Sequence, residues 1–368
     1  MTDDGIRAVG VGLMGSGSAG RLYLRQSGRG CSLRYVACAD VEPSRAAALA
    51  REHGVPRACS PDELLADPDV EVVVNLTPAT EHGRVGRQVL RAGKHLYAEK
   101  PLAPDVRQGR ALLALAARRR LRVGCAPDTF LGPALQTARE LVDAGAIGVP
   151  FAASASVAMP APSTWHPRPA PFYGPAAGPL FDMGPYYLTA LVSLLGPVAR
   201  VAGMAVVAPH ERRSLVTGEL IEPAVPTHEL GLLEFAGGMV ATLAISFDAP
   251  ASAAPPLELH GTLGSLRLPD PNAGEGAVAA RLRGEPGWTD VPAGAAGGRS
   301  RCAGVEDMAA AIRKDRPHRA SGELALHVLD AMESLRRSAA TGRMLRLRTT
   351  CERPAPLRAA KPAEGPAD

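Results

Sequence analysis

Only four of the 368 residues are lysines, and one of them, Lys100, stands in Glu99-Lys100-Pro101 directly after a short apolar run. At the C-terminal end of a strand in an open parallel sheet, a side chain faces the ligand crevice. The proline that follows, with its fixed φ, would hold the lysine in place. Spacing by itself leaves a surface lysine as the competing reading. Thr77-Pro78 ends the preceding apolar run, with His82 four residues beyond the proline, and would line the same crevice. A second group of residues suits phosphate binding. Gly15-Ser16-Gly17-Ser18-Ala19-Gly20 fits G-x-G-x-x-G, a weak signal alone in a chain with 39 glycines. It gains weight because it follows an apolar run and opens a helical pattern. Glycines there allow a tight turn and let the backbone approach a pyrophosphate at the helix N-terminus. Asp40 lies 20 residues past Gly20, where an acid can bind both hydroxyls of an adenosine ribose and repel a 2′-phosphate. The alternative is a turn-capping aspartate. NAD is therefore favoured over NADP, with Arg45 able to stack on adenine or tolerate a phosphate.

These residues need elements to position them. Apolar runs at 6–14, 33–39, 70–76, 95–98 and 121–125 alternate with helical patterns ending near 26, 53, 92 and 119. Val72-Val73-Val74 is uninterrupted, as expected of a strand covered on both faces. Such alternation predicts an α/β domain over 1–125, a doubly wound parallel sheet with helices on both faces. Past 125 the pattern changes to a long helix at 129–144 and then to strands with few helices between them. Residues 228–236 and 239–247 flank Gly237-Gly238, a hairpin signal in which the turn needs positive φ. The reading for 126–349 is an α+β domain with a mostly antiparallel sheet and helices at 305–313 and 321–340. A flexible tail is expected over 350–368, and residues 270–296 read as a surface connection. Residues 160–179 hold seven prolines beside Trp165, His166, Phe172 and Tyr173, a stiff excursion whose aromatics need something to cover.

Gly15 to Gly20, Asp40, Thr77-Pro78 with His82, Ala92-Gly93-Lys94-His95 and Glu99-Lys100-Pro101 occur in order and at workable spacing. Together they resemble the Gfo/Idh/MocA oxidoreductases, named for glucose-fructose oxidoreductase and inositol dehydrogenase, over most of the chain. The resemblance implies a Rossmann domain, then an α+β domain whose large open sheet forms a homodimer or homotetramer interface. It implies NAD(P)-dependent chemistry on secondary alcohols of sugars and polyols, with Lys100 beside both nicotinamide and substrate hydroxyl. The cofactor set becomes Gly15, Ser16, Gly17, Ser18, Ala19, Asp40, Arg45, Thr77, Pro78, His82, Glu99 and Lys100. In the second half the family pattern is Asp-x-Gly-x-His, and this chain has Asp182-Met183-Gly184-Pro185-Tyr186. Asp182 and Gly184 match, while Tyr186 stands where the histidine would be. A phenol beside a lysine cation can also serve as acid or base, so the expected catalytic group is Lys100, Asp182 and Tyr186. The competing reading packs Tyr186 and Tyr187 inside an amphipathic helix. Trp165, His166, Tyr173 and Tyr187 are substrate-wall candidates, although His166 reads equally as a solvated loop residue. Asp128 is placed to meet substrate hydroxyl or amino groups.

Composition bounds the alternatives. The net charge of +4 comes from arginine-rich coding rather than a basic patch, and aromatics make up only 4%, so no stacking platform for nucleic acid is expected. No apolar window reaches the length of a membrane span, and Thr2-Asp3-Asp4 is the wrong charge for a secretory signal. A cytoplasmic location is expected. The six cysteines (31, 38, 59, 125, 302 and 351) form no C-x-x-C pair and no zinc-ligand spacing, and they read as reduced core thiols. The leading expectation is an NAD-dependent dehydrogenase of a sugar, glycoside or aminosugar hydroxyl. The alternatives are an NAD-dependent glycosidase or lyase using transient ring oxidation, and a non-catalytic NAD-responsive regulator.

Overall fold

The first apolar run becomes β1 (Val9–Met14), and all six of its residues are buried, as a central strand covered on both faces requires. The computed structural model describes residues 7–26, 32–273, 276–292 and 301–357. The chain continues through α1 (Ser18–Gln26), β2 (Leu33–Ala39), α2 (Pro43–His53), β3 (Arg57–Cys59), α3 (Pro61–Ala66), β4 (Val72–Asn75), α4 (His82–Arg91), β5 (His95–Ala98), α5 (Val106–Arg119) and β6 (Val123–Cys125). The six strands form one sheet in the order β3-β2-β1-β4-β5-β6, every pairing parallel. The strand order reverses between β1 and β4, and that switch point opens the crevice at the strands' C-terminal ends. β3 and α3 were not expected. Their sequence signal is local: Ser60 accepts a hydrogen bond from the Glu63 N–H while Glu63 reaches back to Ser60, a capping box with Pro61 at the helix start.

The helix expected over 129–144 breaks at Gly132-Pro133. Residues 129–131 form a 3-10 turn and α6 is Pro133–Asp143, because Pro133 disfavours helical φ/ψ at the residue before it. The second domain then runs β7 (Pro150–Ala158), α7 (Pro179–Leu195), β8 (Val198–Val206), β9 (His228–Phe235), β10 (Val240–Ser246), β11 (Leu257–Gly261), β12 (Gly264–Leu268), β13 (Val278–Leu282), β14 (Thr289–Val291), α8 (Ala303–Arg313), α9 (Gly322–Thr341) and β15 (Leu345–Arg346). Its sheet has nine strands in the order β14-β13-β12-β11-β7-β10-β9-β8-β15, antiparallel except where β10 runs parallel to β7. The hairpin between β9 and β10 forms as expected, although only Gly238, at φ +85°, takes a positive φ. Residues 270–296, read as a mere connection, contain β13 and β14, which extend the sheet.

The end of the chain returns to the first domain. α8 sends Arg313 to the Glu71 carboxylate at 2.6 and 2.7 Å, and Cys125 N–H donates to Ala320 O at 3.1 Å. A Cβ at Gly109 on α5 would meet Leu326 of α9, and a Cβ at Gly203 of β8 would meet the Leu335 backbone of the same helix. α9 thus packs on both domains. The tail expected to be loose is held as far as residue 357: Arg353 bonds Asp143, Arg139 bonds the Pro354 carbonyl, and the Leu357 N–H meets Gln136 at 2.6 Å. Residues 358–368 lie outside the described residues. Cys38 and Cys125 are buried free thiols, Cys59 and Cys351 are half-buried and free, Cys302 is buried, and Cys31 lies outside the described residues. Among the described residues no helix is long and apolar enough to cross a membrane.

Candidate active site

The turn between β1 and α1 assigns each glycine of the motif a different task. Gly15 sits at φ +105°, and a Cβ there would come within 2.7 Å of the Leu76 backbone. A Cβ at Gly20 would lie 3.0 Å from Leu49 Cδ2, so this glycine lets α1 pack against α2. A Cβ at Gly17 would meet nothing within 4 Å among the described residues, leaving bare backbone for a phosphate to approach. α1 has no acidic residue in its first turn, so the partial positive charge of its N-terminus is not cancelled there. Asp40, at the end of β2, accepts the Ser16 N–H at 2.8 Å and the Glu42 N–H at 2.9 Å. The turn-capping reading therefore describes real contacts. It does not exhaust the group, because a carboxylate has about four acceptor positions. Arg45 is exposed and paired with Glu42. Ser18 and Ala19 open α1.

Thr77 and Pro78 follow β4, and Thr77 donates through both N–H and hydroxyl to Asn75 Oδ1, at 3.2 and 2.7 Å. Buried His82 ties this turn to the one after β5: Nε2 meets the Thr77 carbonyl at 2.8 Å and Nδ1 the Pro101 carbonyl at 2.6 Å. Glu99 accepts the Lys100 N–H at 2.9 Å and the Tyr23 hydroxyl at 3.4 Å. Gly15, Ser16, Gly17, Asp40, Thr77, Pro78, Glu99 and Lys100 lie in the first residues beyond β1, β2, β4 and β5, while Ser18, Ala19, Arg45 and His82 lie on the helices that follow.

From the second domain, α7 brings Asp182 and Tyr186, which share one helix face because they are four residues apart. Lys100 Nζ donates to Asp182 Oδ1 at 2.7 Å and to the Asp182 main-chain carbonyl at 2.6 Å. It also stands 5.3 Å from the centre of the Tyr186 ring. Burial, the largest single influence, disfavours the ammonium, but Asp182, Tyr186 and Glu99 together outweigh it and the Lys100 pKa ends above its ordinary value. Arg301, ahead of α8, donates to the Tyr186 hydroxyl at 2.9 Å and lies 5.1 Å from the ring centre. No spacing in the sequence pointed to Arg301, since its contact spans 115 positions.

Three of the expected substrate residues are buried and held by other groups. Tyr187 is buried and donates to Asp270 at 2.9 Å, which fastens the residue 270 turn. Tyr173 is buried in a small core with Ile221 and Phe247. Asp128 is buried too; one oxygen accepts the Gly304 N–H at 2.8 Å, the other has no hydrogen-bond partner among the described residues, and burial pushes its pKa up to about 6. Trp165, half exposed, forms an edge-on cluster with His166 and Phe172, ring centres 4.9–6.3 Å apart.

A glycine cradle at the switch point, opposite a lysine that a second domain grips, places the chain in the class of dinucleotide-dependent oxidoreductases. The chain belongs to the Gfo/Idh/MocA family. The profile described as an oxidoreductase family with an NAD-binding Rossmann fold matches residues 8–126, and the family's C-terminal domain matches residues 135–267. NAD is the cofactor of that fold. Inositol 2-dehydrogenase of Rhizobium meliloti is 29% identical over 38% of this chain and 42% of its own length. The dTDP-3,4-didehydro-2,6-dideoxy-alpha-D-glucose 3-reductase of Streptomyces violaceoruber is 35% identical over 54% of this chain and 58% of its own. The chain thus matches less than two thirds of the length of these relatives. Among solved structures, levoglucosan dehydrogenase in complex with NADH has the same fold, with a TM-score of 0.80, 19% identity and coverage of 93% of this chain and 100% of that one.

Proposed function

We propose that the protein is an NAD-dependent dehydrogenase or reductase acting on a secondary hydroxyl of a sugar, glycoside or aminosugar. The observation that carries this reading is the ammonium of Lys100, at the cofactor end of the first domain, held at 2.7 Å by Asp182 of the second with Tyr186 beside it. Relatives whose names specify inositol, a deoxysugar nucleotide and 1,5-anhydro-D-fructose support a polyol or sugar substrate. Gly15, Ser16, Gly17, Ser18 and Ala19 would hold the pyrophosphate, and Asp40 the adenosine ribose beside Arg45. Thr77, Pro78, His82, Glu99 and Lys100 would frame the nicotinamide end. Once bound, NAD supplies an acceptor for the hydride that leaves the substrate carbon.

The chain's own residues manage the proton and the charge. Tyr186 takes the proton from the substrate hydroxyl in oxidation and returns it in reduction. Lys100, kept as an ammonium by Asp182, steadies the negative charge that develops on the substrate oxygen. Asp182 balances that cation and accepts from a neighbouring hydroxyl, and Trp165 and His166 are the remaining wall candidates. The test is nicotinamide absorbance with NAD or NADP and a panel of polyols, pyranosides and aminoglycosides. The expected result is NAD reduction that Lys100→Ala and Tyr186→Phe each lower by at least about a hundredfold. Tight NADH binding with no turnover of any compound, wild type included, would sink the dehydrogenase reading. Subunits are proposed to pair through the nine-stranded sheet as a homodimer or homotetramer.

A further inference from the structure

We infer that Arg301 is a positioning residue for Tyr186, aiming the phenol and supplying the positive charge that its oxygen needs on giving up a proton. This rests on the proposed role of Tyr186 as acid and base. The guanidinium is itself held from two sides. Nη1 meets the Tyr186 hydroxyl at 2.9 Å, while Nη2 donates to Asn272 Oδ1 at 2.7 Å and to the Asn272 carbonyl at 3.2 Å. The Asn272 turn is anchored in turn, since Asp270 accepts from the Asn272 N–H at 2.9 Å and from the Tyr187 hydroxyl at 2.9 Å. Neighbouring tyrosines of α7 thus grip one turn, Tyr187 through Asp270 and Tyr186 through Arg301.

Arginine has donors and no acceptor, so at this contact the phenol oxygen accepts. Its own O–H hydrogen is left to point elsewhere, as a proton donor to substrate must. The charged groups around the phenol are Lys100 after β5, Asp182 on its own helix and Arg301 ahead of α8. Glu99 and Asp128 act on Arg301 through space. Lys100 lies 5.3 Å from the ring centre and is paired with Asp182 at 2.7 Å. Arg301 is the cation that hydrogen-bonds the phenol oxygen itself.

The test uses Arg301→Gln, which keeps a hydrogen-bond donor and removes the charge, and Arg301→Lys, which restores the charge. Two readouts are followed. The first is the pH profile of substrate oxidation. The second is ultraviolet titration of the cofactor-free protein, where the tyrosinate signal that Tyr186→Phe removes identifies this phenol. With Arg301→Gln, the rise of kcat with pH and the Tyr186 signal should both move up by about one pH unit, the scale of one charge-assisted hydrogen bond. KM should change less than about threefold, and Arg301→Lys should reverse most of the shift. An unmoved profile and an unmoved signal in Arg301→Gln, even with a lowered Tm, would leave Arg301 a strut and overturn the inference. If Tyr186→Phe remains active, the acid–base reading fails instead, and the titration still decides whether Arg301 governs the phenol.

Discussion

Asp128 is a carboxyl group taken out of water with only one oxygen partnered, and burial holds its pKa at about 6. An unfolded aspartate titrates near 4. Between about pH 4 and pH 6 the folded state therefore binds more protons than the unfolded one, and stability falls as pH rises through that window. The contribution is fully present below pH 4 and lost above pH 6. Asp128→Asn keeps an acceptor for the Gly304 N–H and removes the charge. At pH 7 the variant should be more stable than the parent by about 2–3 kcal/mol, with little difference at pH 4. Taking variant minus parent also cancels the opposing slope of His95, whose pKa burial lowers to about 4. Urea unfolding at both pH values checks it, and a difference that does not vary with pH would refute the assignment.

The β1–α1 turn makes a sharper demand, because its three glycines fail in different ways. Gly17→Ala adds a methyl group that meets nothing within 4 Å among the described residues, so the fold should be intact with Tm within a few degrees. The same methyl would stand in the path of the pyrophosphate, and NADH binding should weaken by about tenfold or more, an expectation for calorimetry. Gly15→Ala, at φ +105° and against the Leu76 backbone, should lower stability as well as binding. This element was legible in the sequence because its signal is local: glycine spacing, a preceding strand and a following helix. The Glu99-Lys100-Pro101 turn was legible for the same reason. Arg301 was not, because its meaning comes from a phenol 115 positions away. The burial of Tyr187 and Tyr173 was not legible either, because an aromatic beside a motif looks the same whether it lines a crevice or fills a core. β13 and β14 hid because alanine, glycine and arginine around 278–291 give no clear alternation of polar and apolar residues.

Across the whole molecule, the outer face of the nine-stranded sheet carries an exposed apolar patch on β8, β9 and β10 where a solvent-facing layer would be polar. Met204 and Leu230 are cross-strand partners, Leu232 lies two residues further along β9, and all three are exposed. Leu230→Glu with Leu232→Glu should leave Tm nearly unchanged and shift the protein to a smaller species in sedimentation velocity. An unshifted sedimentation coefficient would mean that subunits do not pair there. The other contact at this scale joins the two domains, with the Lys100 ammonium held by both the carboxylate and the main-chain carbonyl of Asp182. Acylating and methylating reagents attack only neutral amines, so a lysine gripped in this way is chemically silent while the domains are docked. Exposed Lys314 should be modified quickly and Lys100 hardly at all. As urea loosens the domains, the labelling rate at Lys100 becomes a gauge of their separation that needs neither substrate nor cofactor.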